Sequence, residues 1–199
     1  MNKNKIILVN PGVHFQKPVS FGMYPNTAIM VLSTILRLAG FNVKVIDGRY
    51  LGPQGAIKSI SDEIGEDLVF VGFSVMTIQV PWAYYVSGII KNKHPLAKIV
   101  LGGVHPTLFP EQTAEDPVID IAVAGDTASS INMLAMELAK EGDLARVPGI
   151  FYKHRTEVVG TFANSKKDDF SNMPHIDFSL INHQRYSRNN NIATEEFYA

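Results

Sequence analysis

The sequence predicts an α/β domain of the doubly wound type, with a parallel sheet of five strands in the order 2-1-3-4-5 and helices on both faces. Three observations predict it. Short apolar runs alternate with helically periodic segments five times along the chain. Those runs are apolar at consecutive positions, as strands covered on both faces must be. The chain has 199 residues, 46% of them hydrophobic, enough to bury one substantial core.

The first run, Lys5–Asn10 (KIILVN), reads as a buried strand stopped by Pro11-Gly12. A helix then begins near Asn26, with Ile29, Leu32, Leu36 and Ala39 on one face and Gly40 as its stop. Phe41–Asp47 reads as the second strand, and a weaker helix follows through Ile57, Ile60 and Ile64. Asp67–Thr77 (DLVFVGFSVMT) is the strongest strand, β-branched and apolar on both faces. Pro81 suits the first turn of a helix carrying Trp82, Val86, Ile89 and Ile90; Trp82 reads as a packing residue. Ala97–Gly103 and Val118–Gly125 are the fourth and fifth strands, with a turn or two of helix between them near Pro110–Ala114. The last helix runs from about Ser130 to Lys140. Beyond Gly142, Gly149–Lys153 and Glu157–Thr161 read as a small hairpin joined at His154–Thr156. From Asn164 onward the chain reads as a polar linker with few core residues. The organisation expected is residues 1–145 as the sheet domain and residues 146–199 as hairpin and linker.

Composition excludes several classes. A formal net charge of −1 gives no electrostatic case for nucleic acid or an anionic membrane. No apolar run is long enough for a secretory signal or a membrane span. With no cysteine, these residues hold no disulfide, thiolate zinc site or iron–sulfur cluster. A cytoplasmic location is the expectation. The Gly-rich dinucleotide fingerprint, the phosphate-binding P-loop and the Gly-x-Ser-x-Gly elbow are all missing.

Open parallel sheets take ligands beyond the carboxyl ends of their strands, where strand order reverses. The loops there are Asn10–Phe15 and Ser74–Gln79, flanked by Asp47–Gly52, Gly102–Pro106 and Gly125–Ser130. Gly102-Gly103 ends a strand where side chains would be expected, so a flat or bulky group could approach the backbone; a simple turn is the competing reading. Ser74 and Thr77 could donate hydroxyls to a ligand or cap the next helix. His14 and His105 lie in these loops without a third ligand at metal-binding spacing, so no metal site is assigned.

These loops resemble a known family. Asp47-Gly48-Arg49-Tyr50-Leu51-Gly52 resembles the D-x-H-x-x-G motif of cobalamin-binding domains, with Arg49 where His would stand. Ser74-Val75-Met76 resembles the S-x-L that follows it, and Gly102-Gly103 the later G-G. The wider frame is similar to the N-terminal domain of B12-dependent radical SAM enzymes, a flavodoxin-like, Rossmann-like fold. Its cues are ILVNP at Ile7–Pro11, LAGFNVKVID at Leu38–Asp47, VGFSVMT at Val71–Thr77, KIVLGGVHPTLFPE at Lys98–Glu111 and RVPGIFYK at Arg146–Lys153. Gly125-Asp126-Thr127-Ala128 departs from the Gly-Glu-Gly-Glu of the family's fifth loop.

The resemblance implies cobalamin as cofactor, with Asn10, Pro11, Asp47, Arg49, Gly52, Ser74, Met76, Thr77, Gln79, Gly102, Gly103, His105, Pro106, Gly125 and Asp126 around it. It implies that cobalt lacks a histidine ligand, because a guanidinium has no available lone pair. The corrinoid would then be held base-off, in a methyltransferase whose radical SAM domain, on the same polypeptide, binds a 4Fe-4S cluster and S-adenosylmethionine. This chain alone is expected to be a binder without catalytic residues of its own, and a fragment or a stand-alone relative. A valine at position 103 is expected to occupy the volume the cofactor's tail needs, abolishing binding while leaving the fold largely intact. The rival expectations are a degenerate domain that has lost cobalamin and serves as an interaction module, and an unrelated enzyme using His14, His105 and Asp126.

Overall fold

The structure is a computed structural model that describes residues 3–15, 24–125, 128–161, 174–181 and 186. Its strands are β1 (Lys5–Asn10), β2 (Asn42–Asp47), β3 (Leu68–Ser74), β4 (Ile99–Gly102), β5 (Ile121–Val123), β6 (Ile150–His154) and β7 (Glu157–Gly160). Its helices are α1 (Thr27–Leu38), α2 (Gly48–Glu63), α3 (Val80–Lys93), α4 (Val104–Leu108), α5 (Pro110–Glu115) and α6 (Ala128–Ala139). The sheet order is β2-β1-β3-β4-β5-β6-β7. The five expected parallel strands stand in the expected order, and strand order reverses at β1.

The count of five is corrected to seven. The hairpin does not hang from the sheet but continues it, with Val123 opposite Ile150 and Ile121 opposite Tyr152 in antiparallel register. A bare β5 edge would leave a row of unpaired backbone groups. Val147 and Ile150, both fully buried, carry the core past that edge.

Burial on both faces explains the apolar runs. Ile7 and Val9 of β1 pack with Ile57 and Ile60 of α2 and with Trp82, Val86 and Ile90 of α3. Ile6 and Leu8 pack on the opposite face with Ile29 and Leu36 of α1 and Ile131 and Leu134 of α6. Trp82 is wholly buried, as a packing residue should be. Asn26 caps α1, its Oδ1 accepting from the Ile29 amide at 3.2 Å.

Three loop expectations change. Asp47–Gly52 is not an open loop: Gly48–Leu51 is helical, because the Asp47 side chain caps it by accepting from the Arg49 amide. Gly52 then breaks the helix at φ 65°, ψ 177°, and Pro53 restarts it. In the Gly102–Pro106 segment the helix α4 already begins at Val104. The C-terminal stretch expected as linker contributes Tyr186, which is buried against the Asp47 region. No described helix is long and apolar enough to cross a membrane.

Candidate functional site

On the sheet face beneath α1 and α6, side chains are large at the amino ends of the strands and small at the carboxyl ends. Along β3 this face carries Phe70, then Gly72, then Ser74; along β4 it carries Val100, then Gly102. Strand alternation keeps each series on one face. Both helices stay seated on the wide end through Ile29, Leu36, Ile131 and Leu134. The narrow end is left as a cleft of about 270 Å³, whose mouth is flanked by Thr27 and Ala28 of α1 and Ala128 of α6. That volume lies near the lower end of small-molecule sites.

Gly103 sits where two loops cross, at φ 101°. Val75 donates its amide to the Gly102 carbonyl at 2.8 Å, and the Val75 carbonyl accepts from the His105 amide at 3.1 Å. A Cβ on Gly103 would stand 2.7 Å from the Val75 carbonyl oxygen and 2.8 Å from its nitrogen. The expectation that valine there would spare the fold is therefore wrong: it meets backbone, not open cleft. Gly102 lies in regular strand and lines the cleft.

Beside the cleft, Asp47 is the centre of a buried polar network. Its Oδ1 accepts from Arg49 Nε at 2.9 Å and from Asn10 Nδ2 at 3.3 Å. Its Oδ2 accepts from Arg49 Nη2 at 2.6 Å and from the Tyr186 hydroxyl at 2.8 Å. Asn26 Nδ2 donates to Asn10 Oδ1 at 3.0 Å, tying the network to the start of α1. Burial opposes the Arg49 charge, but the hydrogen bond and charge of Asp47 outweigh it and hold the guanidinium above its ordinary pKa. Burial, with the adjacent Asp47 charge, pushes the Tyr186 phenol up, so it remains a donor. From beneath, the Trp82 ring fills the space a side chain on Gly48 would need.

The remaining residues named from sequence fall into two groups. Gln79 is a buried staple: its Nε2 donates to the Pro11 carbonyl at 2.7 Å and its Oε1 accepts from the Met76 amide at 2.9 Å. Pro11 and Pro106 are buried. On the rim, Met76 and Thr77 are exposed, and His105 Nδ1 stands 3.3 Å from Thr77 Oγ1. Thr107 joins two rim loops, donating to the Gly103 carbonyl at 2.8 Å and accepting from the Gly125 amide at 3.0 Å. Asp126 lies outside the described residues. His14 is exposed, and no cluster of three metal-ligating side chains occurs among the described residues. The structure thus brings Ser74, Gly102 and Gly103 into one cleft, and Asn10, Asp47 and Arg49 into one network. Sequence reasoning missed Gly72, hidden inside a strand, and Tyr186, in a segment without periodicity.

Known proteins resemble this chain in sequence and fold. The family model described as "B12 binding domain" matches residues 19–135. An uncharacterised methyltransferase of Pyrococcus horikoshii is 31% identical over 161 residues, covering 79% of this chain and 34% of its own. An anaerobic magnesium-protoporphyrin IX monomethyl ester cyclase of Synechocystis is 24% identical over 166 residues, covering 82% and 33%. The cobalamin-dependent S-adenosylmethionine radical enzyme OxsB, solved with aqua-cobalamin bound, superposes with a TM-score of 0.69 at 25% identity, over 82% of this chain and 23% of its own. The radical S-adenosylmethionine methyltransferase TsrM from Kitasatospora setae, solved with cobalamin and a 4Fe-4S cluster, shares the fold with a TM-score of 0.66 at 22% identity, over 81% and 31%. The chain spans about a third of the length of the two curated relatives. With the family model matching more than half of its residues, the chain belongs to the B12-binding domain family, whose cofactor is cobalamin.

Proposed function

We propose that this chain is the cobalamin-holding domain of a B12-dependent radical SAM methyltransferase, and that it holds the corrinoid base-off with no histidine on cobalt. One observation carries the reading: a cleft opened by the small residues Gly72, Ser74 and Gly102 lies beside an arginine locked to Asp47 at the motif's ligand position. The cleft residues suit the nucleotide tail, and the rim at Met76, Thr77, His105 and Gly125 suits the corrin edge. Bound cobalamin supplies a cobalt centre able to accept and release a methyl group. Arg49 itself offers no lone pair and stays charged, so it repels a second cation and leaves the lower face without a protein donor. Residues 146–199 lead, on this reading, toward a radical SAM domain that binds the 4Fe-4S cluster and S-adenosylmethionine, in a cytoplasmic protein.

The test is a titration of the purified chain with hydroxocobalamin, followed by visible absorbance. Saturable binding at micromolar concentration or better is expected. Its absence on folded protein rejects the reading and leaves the degenerate-domain alternative. Paramagnetic resonance of the Co(II) form then decides the axial ligand. No nitrogen superhyperfine splitting is expected, and resolved splitting would refute the His-free, base-off assignment.

A further inference from the structure

We propose that the cleft selects corrinoids by the chemistry of their lower base, taking an apolar benzimidazole-type ring and discriminating against a purine; this rests on the reading above. The deep wall is hydrocarbon: Leu8, Phe70, Val100, Val123 and Ile131, each at least 96% buried. Among the described lining residues only Ser74 and Thr27 carry polar side chains. Thr27 is exposed and Ser74 partly so, which places both at the mouth. Through Phe73 the β3 backbone of the floor is paired with β1 on one side and β4 on the other, so it is already engaged within the sheet. A benzimidazole with ring methyls carries a single free ring nitrogen and otherwise buries carbon against carbon there. An adenine base would carry an exocyclic amine and ring nitrogens into the same space. Each would lose water, and the two hydroxyls at the mouth, on Ser74 and Thr27, cannot replace them all along the hydrocarbon wall. A polar edge left unpaired weakens binding by about tenfold or more.

The experiment compares three corrinoids on the whole chain: cobalamin, its adeninyl analogue, and cobinamide, which has no nucleotide tail. Trp82 is the sole tryptophan of the chain and is fully buried beneath the Gly12 and Gly48 backbone, so corrin absorption quenches one defined emitter for all three ligands. Cobalamin is expected to bind tightest, with the adeninyl form weaker by about tenfold or more and no tighter than cobinamide. Equal affinity for the two complete corrinoids would overturn the selectivity. Cobinamide matching cobalamin would overturn it differently, by showing that the tail does not use the cleft while the corrinoid-binding reading survives. If none of the three binds, the proposed function falls and takes this inference with it. Gly102→Leu provides an independent arm, since a side chain there fills the cleft from regular strand. It is expected to abolish the advantage of cobalamin over cobinamide, and a retained advantage in a folded variant counts against the proposal. Should that variant fail to fold, the three-ligand comparison on the unaltered chain still decides.

Discussion

Asp47 accepts from the Arg49 guanidinium, the Arg49 amide, the Asn10 amide and the Tyr186 hydroxyl while remaining 7% exposed. A buried carboxylate is tolerable only when its lone pairs are this fully used. Asp47→Asn replaces an acceptor oxygen with a donor that faces arginine, and is expected to cost about 2–3 kcal/mol by chemical denaturation. Tyr186→Phe removes one neutral donor and is expected to cost about 1 kcal/mol. If the phenylalanine variant costs nothing measurable, Tyr186 matters through its ring packing on Tyr50, which phenylalanine keeps, and not through Asp47. His105 gives a pH dependence. Partial burial beside Thr77 lowers its pKa below the usual 6.5, so the unfolded chain binds the proton more readily than the folded one. The stability that follows is present above pH 6.5 and is lost as pH falls through the folded value. An NMR titration of the ring should therefore show a midpoint below 6.5; a midpoint above it would contradict the geometry.

At the level of elements, the break in α2 is the feature that sets Arg49 in place. Asp47 caps one turn, Gly52 at φ 65° and ψ 177° turns the chain, and Pro53 opens the second segment. That combination of angles is one only glycine adopts without strain. Gly52→Ala is expected to cost roughly 1–3 kcal/mol in urea and to weaken cobalamin binding, because relaxing the break moves the turn that carries Arg49. An alanine variant with unchanged stability would show that the break is not built into the local backbone. The motif reads as a loop in sequence because Gly48, Gly52 and Pro53 all favour turns. Its helicity depends on the Asp47 carboxylate, which is held by residues far along the chain.

For the molecule as a whole, the decisive element is the antiparallel hairpin that closes the β5 edge. A fragment ending at residue 145 loses Val147 and Ile150 from the core shared with α1 and α6, and bares β5 to solvent. Two buried aliphatic side chains contribute roughly 3–5 kcal/mol, a large share of a typical domain's stability. The 1–145 fragment is therefore expected to melt well below a fragment ending at 161, and to self-associate on gel filtration. Equal melting of the two would show that the hairpin is an appendage and that 145 is a true boundary.

The alternation of strand and helix, the order of the five parallel strands and the ligand edge were all legible in the sequence. Each depends on a local pattern: an unbroken apolar run at Leu68–Phe73, a capping Asn26, a terminating Gly40. Gly102-Gly103 and Ser74 were legible for the same reason, as small residues where a strand should end. What tertiary structure alone decided is where absence accumulates and where distant residues meet. Gly72 is unremarkable inside its strand, yet it becomes cleft floor because Ser74 and Gly102 are its neighbours on one face of the sheet. Tyr186 reaches Asp47 from 139 residues away, and Gly103 proves to be pinned by Val75 of another loop. Periodicity reports which side of its own element a residue occupies. It carries no information about which side chains from other elements share that side, and both the cleft and the Asp47 network are built from such pairings.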